Sequence, residues 1–337
     1  MRIYSPTMSS LCLRLRLARL YSTTNPAAAV SPATASLISV WKSSVTQRID
    51  TTVDHINPST FNLLATTLDD PLIPYKGENN LPPADTPLPP NWHLAYFPPR
   101  VLERDLASDG YEDSHAPPEP FVRRMWAGGK LEFKERNPLR IGQEARVVTK
   151  CKDVEVKRGA RGENVFVWVE KEIGNGHGWC VRDTRCLVYM KPPGKGGEKV
   201  EQRVIRASKT PAFMRTIHPT PILLFRYSAL TFNSHQIHYD YRYTTEKEGR
   251  PACLVHGPLT CTLLLDLLRA NINPMAHIRS FTYRALTPMY AGTEFRLCGR
   301  PNGSAEDKDV EGTYELWAEN EHGGLAMSGT AEVVERG

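Results

Sequence analysis

Pro258-Leu-Thr-Cys-Thr-Leu-Leu-Leu-Asp-Leu-Leu-Arg-Ala270 decides the architecture, because it is the one long stretch in the second half of the chain that reads as a buried helix. Its residues are strong helix formers, and leucine falls on nearly every side rather than along one stripe, so the segment needs apolar partners all round. Pro258 suits the first helical turn, where its missing amide hydrogen would have had no intrahelical acceptor. Gly257 stands directly before it.

Outward from this segment the chain reads as strands. Val165 to Val169, Cys186 to Tyr189, Tyr314 to Trp317 and Ala331 to Val334 are alternating, β-branched or aromatic runs separated by Gly and Asn turns, which predicts antiparallel pairing. A weak internal repeat relates the two halves. Phe133, Pro138, Leu139, Gly142, Glu144 and Arg146 match Tyr283, Pro288, Met289, Gly292, Glu294 and Arg296 at a constant offset of 150 residues, and Trp168 and Trp317 hold nearly the same place in the two copies. An antiparallel sheet wrapped around one apolar helix is the hotdog plan. Two copies predict an α+β double hotdog, a pseudo-dimer within one chain.

Breaks in composition mark the boundaries. Leu81 to Pro90 is proline-rich, and Gly194 to Gln202 is a charged, glycine-rich stretch that reads as a linker. The expected organisation is a leader over 1–21, a partly helical extension over 22–80, a degenerate hotdog over 81–193, a linker over 194–203 and a catalytic hotdog over 204–337.

The expected leader reads as a mitochondrial address. Met1 to Ile49 contains no Asp or Glu but is rich in Arg, Ser and Thr; Leu13, Leu17 and Leu20 fall at helical spacing, with Arg14, Arg16 and Arg19 off that stripe. Arg19-Leu20-Tyr21-Ser22 resembles a matrix-processing site, with cleavage expected after Tyr21 and the mature protein expected in the matrix. Arg2, Arg14, Arg16 and Arg19 supply four of the +5 formal charges, so the remainder is near neutral and a nucleic-acid partner is not expected. Nothing is apolar for long enough to span a bilayer, so no stable membrane insertion is expected. The seven cysteines are scattered, with no close C-x-x-C pair, as in a reducing compartment.

The chemistry concentrates in Phe225-Arg-Tyr-Ser-Ala-Leu-Thr-Phe-Asn-Ser-His-Gln-Ile-His-Tyr-Asp240 and in Leu254-Val-His-Gly257. This pattern resembles the hydratase motif of MaoC-like (R)-specific enoyl-thioester hydratases, Asp-x-Asn-Pro-Ile/Leu-His followed by a Leu-x-x-His-Gly turn that opens the hotdog helix. Together with Arg123-Arg124-Met125-Trp126-Ala-Gly-Gly129, it is closer to the mitochondrial type 2 hydroxyacyl-thioester dehydratases and the related mesaconyl-CoA hydratase-like proteins. The resemblance covers most of the chain beyond about Trp92. It implies interconversion of a 3-hydroxyacyl thioester and its trans-2-enoyl thioester, with no cofactor.

Carried over residue by residue, His238 takes the place of the motif histidine, Ile237 the preceding aliphatic and Gly257 the glycine before the helix. Asn233 stands where the motif has its catalytic Asp, His235 where it has Asn, and Gln236 where it has Pro. Dehydration needs a base at the carbon next to the carbonyl, an acid at the departing hydroxyl and donors for the enolate oxygen. An imidazole can serve both proton roles, and the Gly257 amide at the positive end of a helix can serve the oxyanion. Asn233 can orient a hydroxyl but cannot exchange a proton as a carboxylic acid does, so either His238 makes both transfers or Asp240 supplies the second group. Arg226, His235, His256, Arg124 and Trp126 are candidates for binding the thioester, although His256 could equally cap its turn and Arg124 and Trp126 could form a structural cation–aromatic stack. His235, His238 and Asp240 have no fourth ligand at a convincing spacing, so no metal is expected. The expected substrate is a thioester of acyl carrier protein or CoA, and two pseudo-dimers could associate as a homodimer. A non-catalytic thioester-binding role stands as the alternative from another class.

Overall fold

The computed structural model describes residues 29–77, 80–159, 162–192, 204–302 and 311–335. The expected leader, and all of the linker at 194–203, lie outside the described residues.

Ten described strands form one antiparallel sheet: β1 (Ile49–His55), β2 (Arg123–Phe133), β3 (Glu144–Gly159), β4 (Gly162–Asn175), β5 (Gly178–Met190), β6 (Phe213–Ile217), β7 (Ala276–Ala285), β8 (Phe295–Pro301), β9 (Gly312–Glu319) and β10 (Leu325–Glu335). The order is β1-β3-β4-β5-β2-β7-β10-β9-β8-β6. Read inward from either edge, the two halves have the same plan, with β6, β8, β9, β10 and β7 standing for β1, β3, β4, β5 and β2. All four runs read as strands from the sequence fall within β4, β5, β9 and β10.

The repeat has a geometric counterpart. β2 and β7 pair at the centre of the sheet, where Leu131 lies opposite Phe281, the residue 150 positions on, so a pseudo-twofold axis passes through that pair. Gly142 and Gly292, matched at the same offset, both take left-handed backbone, with φ of 90° and 82°, in the turns that lead into β3 and β8. At the seam, a Cβ on Gly128 or Gly129 would overlap the backbone carbonyls of Tyr283 and Thr184.

The segment expected as an extension contributes a strand as well as helices: β1 pairs with β3 along its whole length, from Ile49 opposite Lys150 to His55 opposite Glu144. Before it, α1 (Pro32–Val45) buries Ile38 and Val45 against β3 and β4. The start of α1 is fixed by Glu163, which accepts from Ser31 N and Thr34 Oγ1 at 2.6 Å each. After it, α2 (Pro58–Leu68) is capped by Asn57, whose Oδ1 accepts from Thr60 N at 2.8 Å, and buries Phe61, Leu64, Ala65 and Leu68. Phe61 packs on Trp92 with ring centroids 4.9 Å apart.

The helix that decided the reading is α4 (Gly257–Arg269), and every residue from Leu259 to Leu268 is buried. Each of its six leucines contributes about 1.5–3 kcal/mol by leaving water, which explains leucine on every side. Its one acid, Asp266, is buried, and burial pushes its carboxyl up to about 7. It accepts from Trp92 Nε1 at 3.3 Å, while Arg269 bridges it to Asp70. Asn91 donates to Thr262 Oγ1 at 2.8 Å, so the loop before β2 in the first half is bound to the central helix of the second.

Candidate active site

The motif is laid out as a series of short turns. α3 (Pro221–Leu230) is capped by Thr220, whose Oγ1 accepts from Leu223 N at 3.0 Å. The chain then reverses through Phe232 at φ 51°, with Asn233 N donating to Ser228 O at 2.8 Å. A single 3-10 turn, Gln236–His238, follows. Leu254 N donates to Ile237 O at 2.8 Å and Val255 N to Met289 O at 2.9 Å, so the histidine turn is pinned to the segment that enters α4.

This arrangement brings three imidazoles together. His238 lies on His256 with ring centroids 3.7 Å apart and planes 18° from parallel, and His235 meets His238 edge-on at 5.6 Å. His238 Nδ1 is 2.9 Å from Leu254 O. A carbonyl only accepts, so Nδ1 carries the proton and the lone pair lies on Nε2. Burial, with repulsion from His235, pushes His238 down to about 3, and burial pushes His256 and His235 down as well, so all three rings are neutral near pH 7. His256 holds the cap position of α4, and its Nε2 lies 2.8 Å from Ser228 Oγ.

Asn233 is oriented by its own turn. Its Oδ1 accepts from His235 N at 3.1 Å, which leaves the amide NH2 as the group that faces outward. His235 Nε2 is 3.3 Å from Asp109 Oδ2, and Arg124 donates to the same carboxylate oxygen at 2.6 Å. Burial pushes Asp109 up, but the hydrogen bond from His235 and the Arg124 guanidinium outweigh it and hold the carboxyl well below its ordinary range. Arg124 also stacks on Tyr111, 4.0 Å from the ring centroid.

A cavity of about 680 Å³ runs between this segment and the first half. Asn233, Ser234, Tyr227 and Pro258 line it from one side, and Trp126, Arg185 and Lys171 from the other. A bulge in β2 between Trp126 and Gly128 re-aims Trp126. The Trp126 ring covers Gly257: a Cβ there would sit 3.4 Å from it, in ordinary contact.

Of the expected residues, Asn233 and Trp126 line the cavity. His256 meets the lining residues Ser228 and Tyr227, His235 N donates to Asn233 Oδ1, and His238 lies behind them in contact with both rings, while Gly257 lies beside Pro258 under Trp126. Asp240 is turned away: its Oδ1 accepts from Tyr243 N at 2.9 Å and caps the π-helical turn Tyr243–Lys247. Arg226 is exposed on α3 and is not among the lining residues. Arg124 is committed to Asp109. Sequence reasoning missed Asp109, Ser228, Lys171, Arg185 and Asp183. Asp109 and Ser228 are far in sequence from their partners, Asp183 and Arg185 pair with each other on β5 with no motif to mark them, and only Ser228, inside the quoted stretch, could have been singled out.

A neutral imidazole with an open lone pair, a carboxamide donor and an unpaired amide at a helix start can together move one proton and stabilise one oxyanion. Three comparisons agree with such chemistry. The family model for hydroxyacyl-thioester dehydratase type 2 matches residues 91–291. The chain is 39% identical over 256 residues to the mesaconyl-C(4)-CoA hydratase of Chloroflexus aurantiacus, covering 75% of this chain and 86% of that protein. It is 29% identical over 245 residues to the mitochondrial hydroxyacyl-thioester dehydratase type 2 of Schizosaccharomyces pombe, covering 65% of this chain and 80% of that one. A MaoC-like dehydratase from Phytophthora capsici superposes with a TM-score of 0.57 at 13% identity, covering 87% of this chain and 98% of the other, which establishes the shared fold. The double-hotdog chain belongs to the hydroxyacyl-thioester dehydratase type 2 family and is a hydro-lyase.

Proposed function

We propose that this protein interconverts (3R)-3-hydroxyacyl thioesters and trans-2-enoyl thioesters, with His238 as the proton carrier. The observation that supports this most is the His238 ring, fixed through Nδ1 to Leu254 O and left with its Nε2 lone pair unclaimed. In the dehydrating direction Nε2 takes the proton from C2. The Gly257 amide, at the positive end of α4, holds the charge that develops on the thioester oxygen. Burial disfavours the imidazolium, so it is a strong acid and passes the same proton to the 3-hydroxyl, which leaves as water. Asn233 donates from its amide to that oxygen. With Asp240 turned to Tyr243 N, one histidine makes both transfers.

The setting we propose is the mitochondrial matrix, after removal of the leader, with a carrier-bound thioester of type II fatty-acid synthesis as substrate. The names of the yeast relatives support that setting. Hydration of a CoA thioester in a degradative route is the second reading, favoured by the higher identity to the Chloroflexus hydratase. Chiral analysis of the product formed from crotonyl-CoA tests the reaction: (3R)-3-hydroxybutyryl-CoA is expected, and a mainly (3S) product would point to another active-site geometry. No turnover at all would favour the non-catalytic binding role.

A further inference from the structure

Tyr111 brings an unclaimed hydroxyl to the cavity from the first half of the chain. Its side chain lines the space, and its phenolic oxygen makes no hydrogen bond to a described residue and is not sealed away from the cavity. Its backbone, in contrast, is held firmly. Tyr111 N donates to Asp109 Oδ1 at 3.1 Å, and Tyr111 O accepts from Ala107 N at 2.9 Å. The turn is docked on the motif segment: Gln236 N donates to Asp109 O at 2.9 Å, and Gly110, at φ 82°, lies so close that a Cβ there would sit 2.3 Å from Ser234 O. A polar group with a fixed backbone and no protein partner calls for a ligand that satisfies it.

Two routes of contact place the Tyr111 ring within the site. On one side it meets the His235 ring at 5.7 Å between centroids, and His235 meets His238 at 5.6 Å. On the other side the Arg124 guanidinium lies 4.0 Å from the Tyr111 centroid. Arg124 is two residues before Trp126 on β2, so the two side chains share a face, and the Trp126 ring covers Gly257. Tyr111 therefore shares a wall of the cavity with the ring that covers the proposed oxyanion donor, across from Asn233. An enolate oxygen has lone pairs for more than one donor, and the Gly257 amide supplies one. Burial pushes the phenol up from its ordinary value, so it keeps its proton near pH 7 and serves as a donor rather than a base.

We propose that Tyr111 is a catalytic residue whose hydroxyl donates to the thioester carbonyl oxygen beside the Gly257 amide, so that the first hotdog completes an oxyanion hole begun in the second. The assignment rests on the thioester reading above and deepens it. The phenol retains its proton throughout, while His238 makes the transfers and Asn233 holds the departing oxygen.

Tyr111→Phe removes the hydroxyl and keeps the ring that stacks on Arg124 and meets His235. Hydration of crotonyl-CoA should fall by about two to three decades in kcat, the scale for loss of one oxyanion donor, with KM changed far less and the melting temperature unchanged. A second measurement reads the bond itself, using butyryl-CoA labelled with carbon-13 at the carbonyl, which has no double bond to hydrate. Its carbonyl stretch in isotope-edited infrared spectra should move to lower frequency on binding to the native protein, and move less on binding to Tyr111→Phe. A kcat near the native value, or a carbonyl shift equal in the two proteins, would overturn the assignment. A melting temperature lowered by several degrees would show that the hydroxyl has a structural partner, and would overturn it as well. A native protein that neither hydrates crotonyl-CoA nor binds butyryl-CoA would overturn the thioester reading, and the assignment with it.

Discussion

The His238 imidazole lies flat on that of His256, with ring centroids 3.7 Å apart, and the two rings are anchored on opposite flanks, His238 to Leu254 O and His256 to Ser228 Oγ. Two rings at that distance cannot both be protonated, and their burial keeps each neutral. The candidate site therefore holds neutral imidazoles over a wide range of pH.

The pH dependence of kcat/KM follows directly. The proposed base works in its neutral form, and burial has pushed its titration down to about 3. Between pH 7 and about pH 5, kcat/KM for crotonyl-CoA should change less than two-fold, since this quantity reports the free enzyme. An acid limb with a midpoint near 6.5 would show an exposed, unperturbed histidine in the role.

Stability should respond differently. His93, His235, His238 and His256 all titrate lower when folded than the 6.5 of a free imidazole. The unfolded chain thus binds more protons below pH 6.5. Their contribution is complete above 6.5 and is lost as pH falls toward the folded values, at about 1.4 kcal/mol per pH unit for each histidine. Asp266 opposes one of them: pushed up to about 7, it stabilises the fold below its unfolded value of 3.8 and loses that contribution as pH rises through 7. The balance is a melting temperature that falls between pH 7 and 5, before ordinary carboxylates titrate. A melting temperature constant over that range in thermal scans would contradict the burial of these rings.

Asn233→Asp asks whether the departure from the Asp-containing motif is functional. The Asn233 oxygen already accepts from His235 N, so the free end of the side chain is a donor. A carboxylate there would replace that donor with an acceptor and add negative charge beside the developing enolate. Hydration of crotonyl-CoA should fall by about 10- to 100-fold, corresponding to loss of one hydrogen bond to a charged or reacting group. Unchanged or raised activity would show that the site is an Asp/His arrangement with its acid missing.

Asp109→Asn probes the support of the histidine turn. Asp109 joins Arg124, whose side chain is 9% exposed, to His235. Removing the charge strands a nearly buried guanidinium, at a cost of about 3 kcal/mol or more. Urea denaturation should register that loss, and an unchanged midpoint would mean that water screens the pair.

How far the sequence could be read depended on the distance over which each interaction acts. The leucines of 258–270, Pro258 and the turn glycines Gly142 and Gly292 are local signals, and they place the central helix and the duplicated strands correctly. The repeat at 150 residues related the two halves but did not mark which residues face each other on the axis; that pair, Leu131 and Phe281, is set by the pairing of β2 with β7. The contribution of Ile49–His55 to the sheet was not legible. This strand is polar and mostly exposed at an edge, so apolar alternation, the usual signal, is absent. In the candidate site, His238, His256 and Asn233 were visible from the motif. Asp240 stood as the alternative source of the second catalytic group; the segment folds as tight turns, and the Asp240 carboxylate accepts from Tyr243 N. Asp109, Lys171 and Arg185 reach the site from distant segments, and nothing local marks them.

The central claim is that His238 carries the proton, and replacing it tests this most directly. Steady-state hydration of crotonyl-CoA would be measured for the native protein and for His238→Ala, with melting temperatures to confirm that both are folded. Loss of general acid–base catalysis should lower kcat by roughly two to four decades, with KM changed far less. A folded His238→Ala protein that hydrates crotonyl-CoA at near the native rate would contradict the assignment.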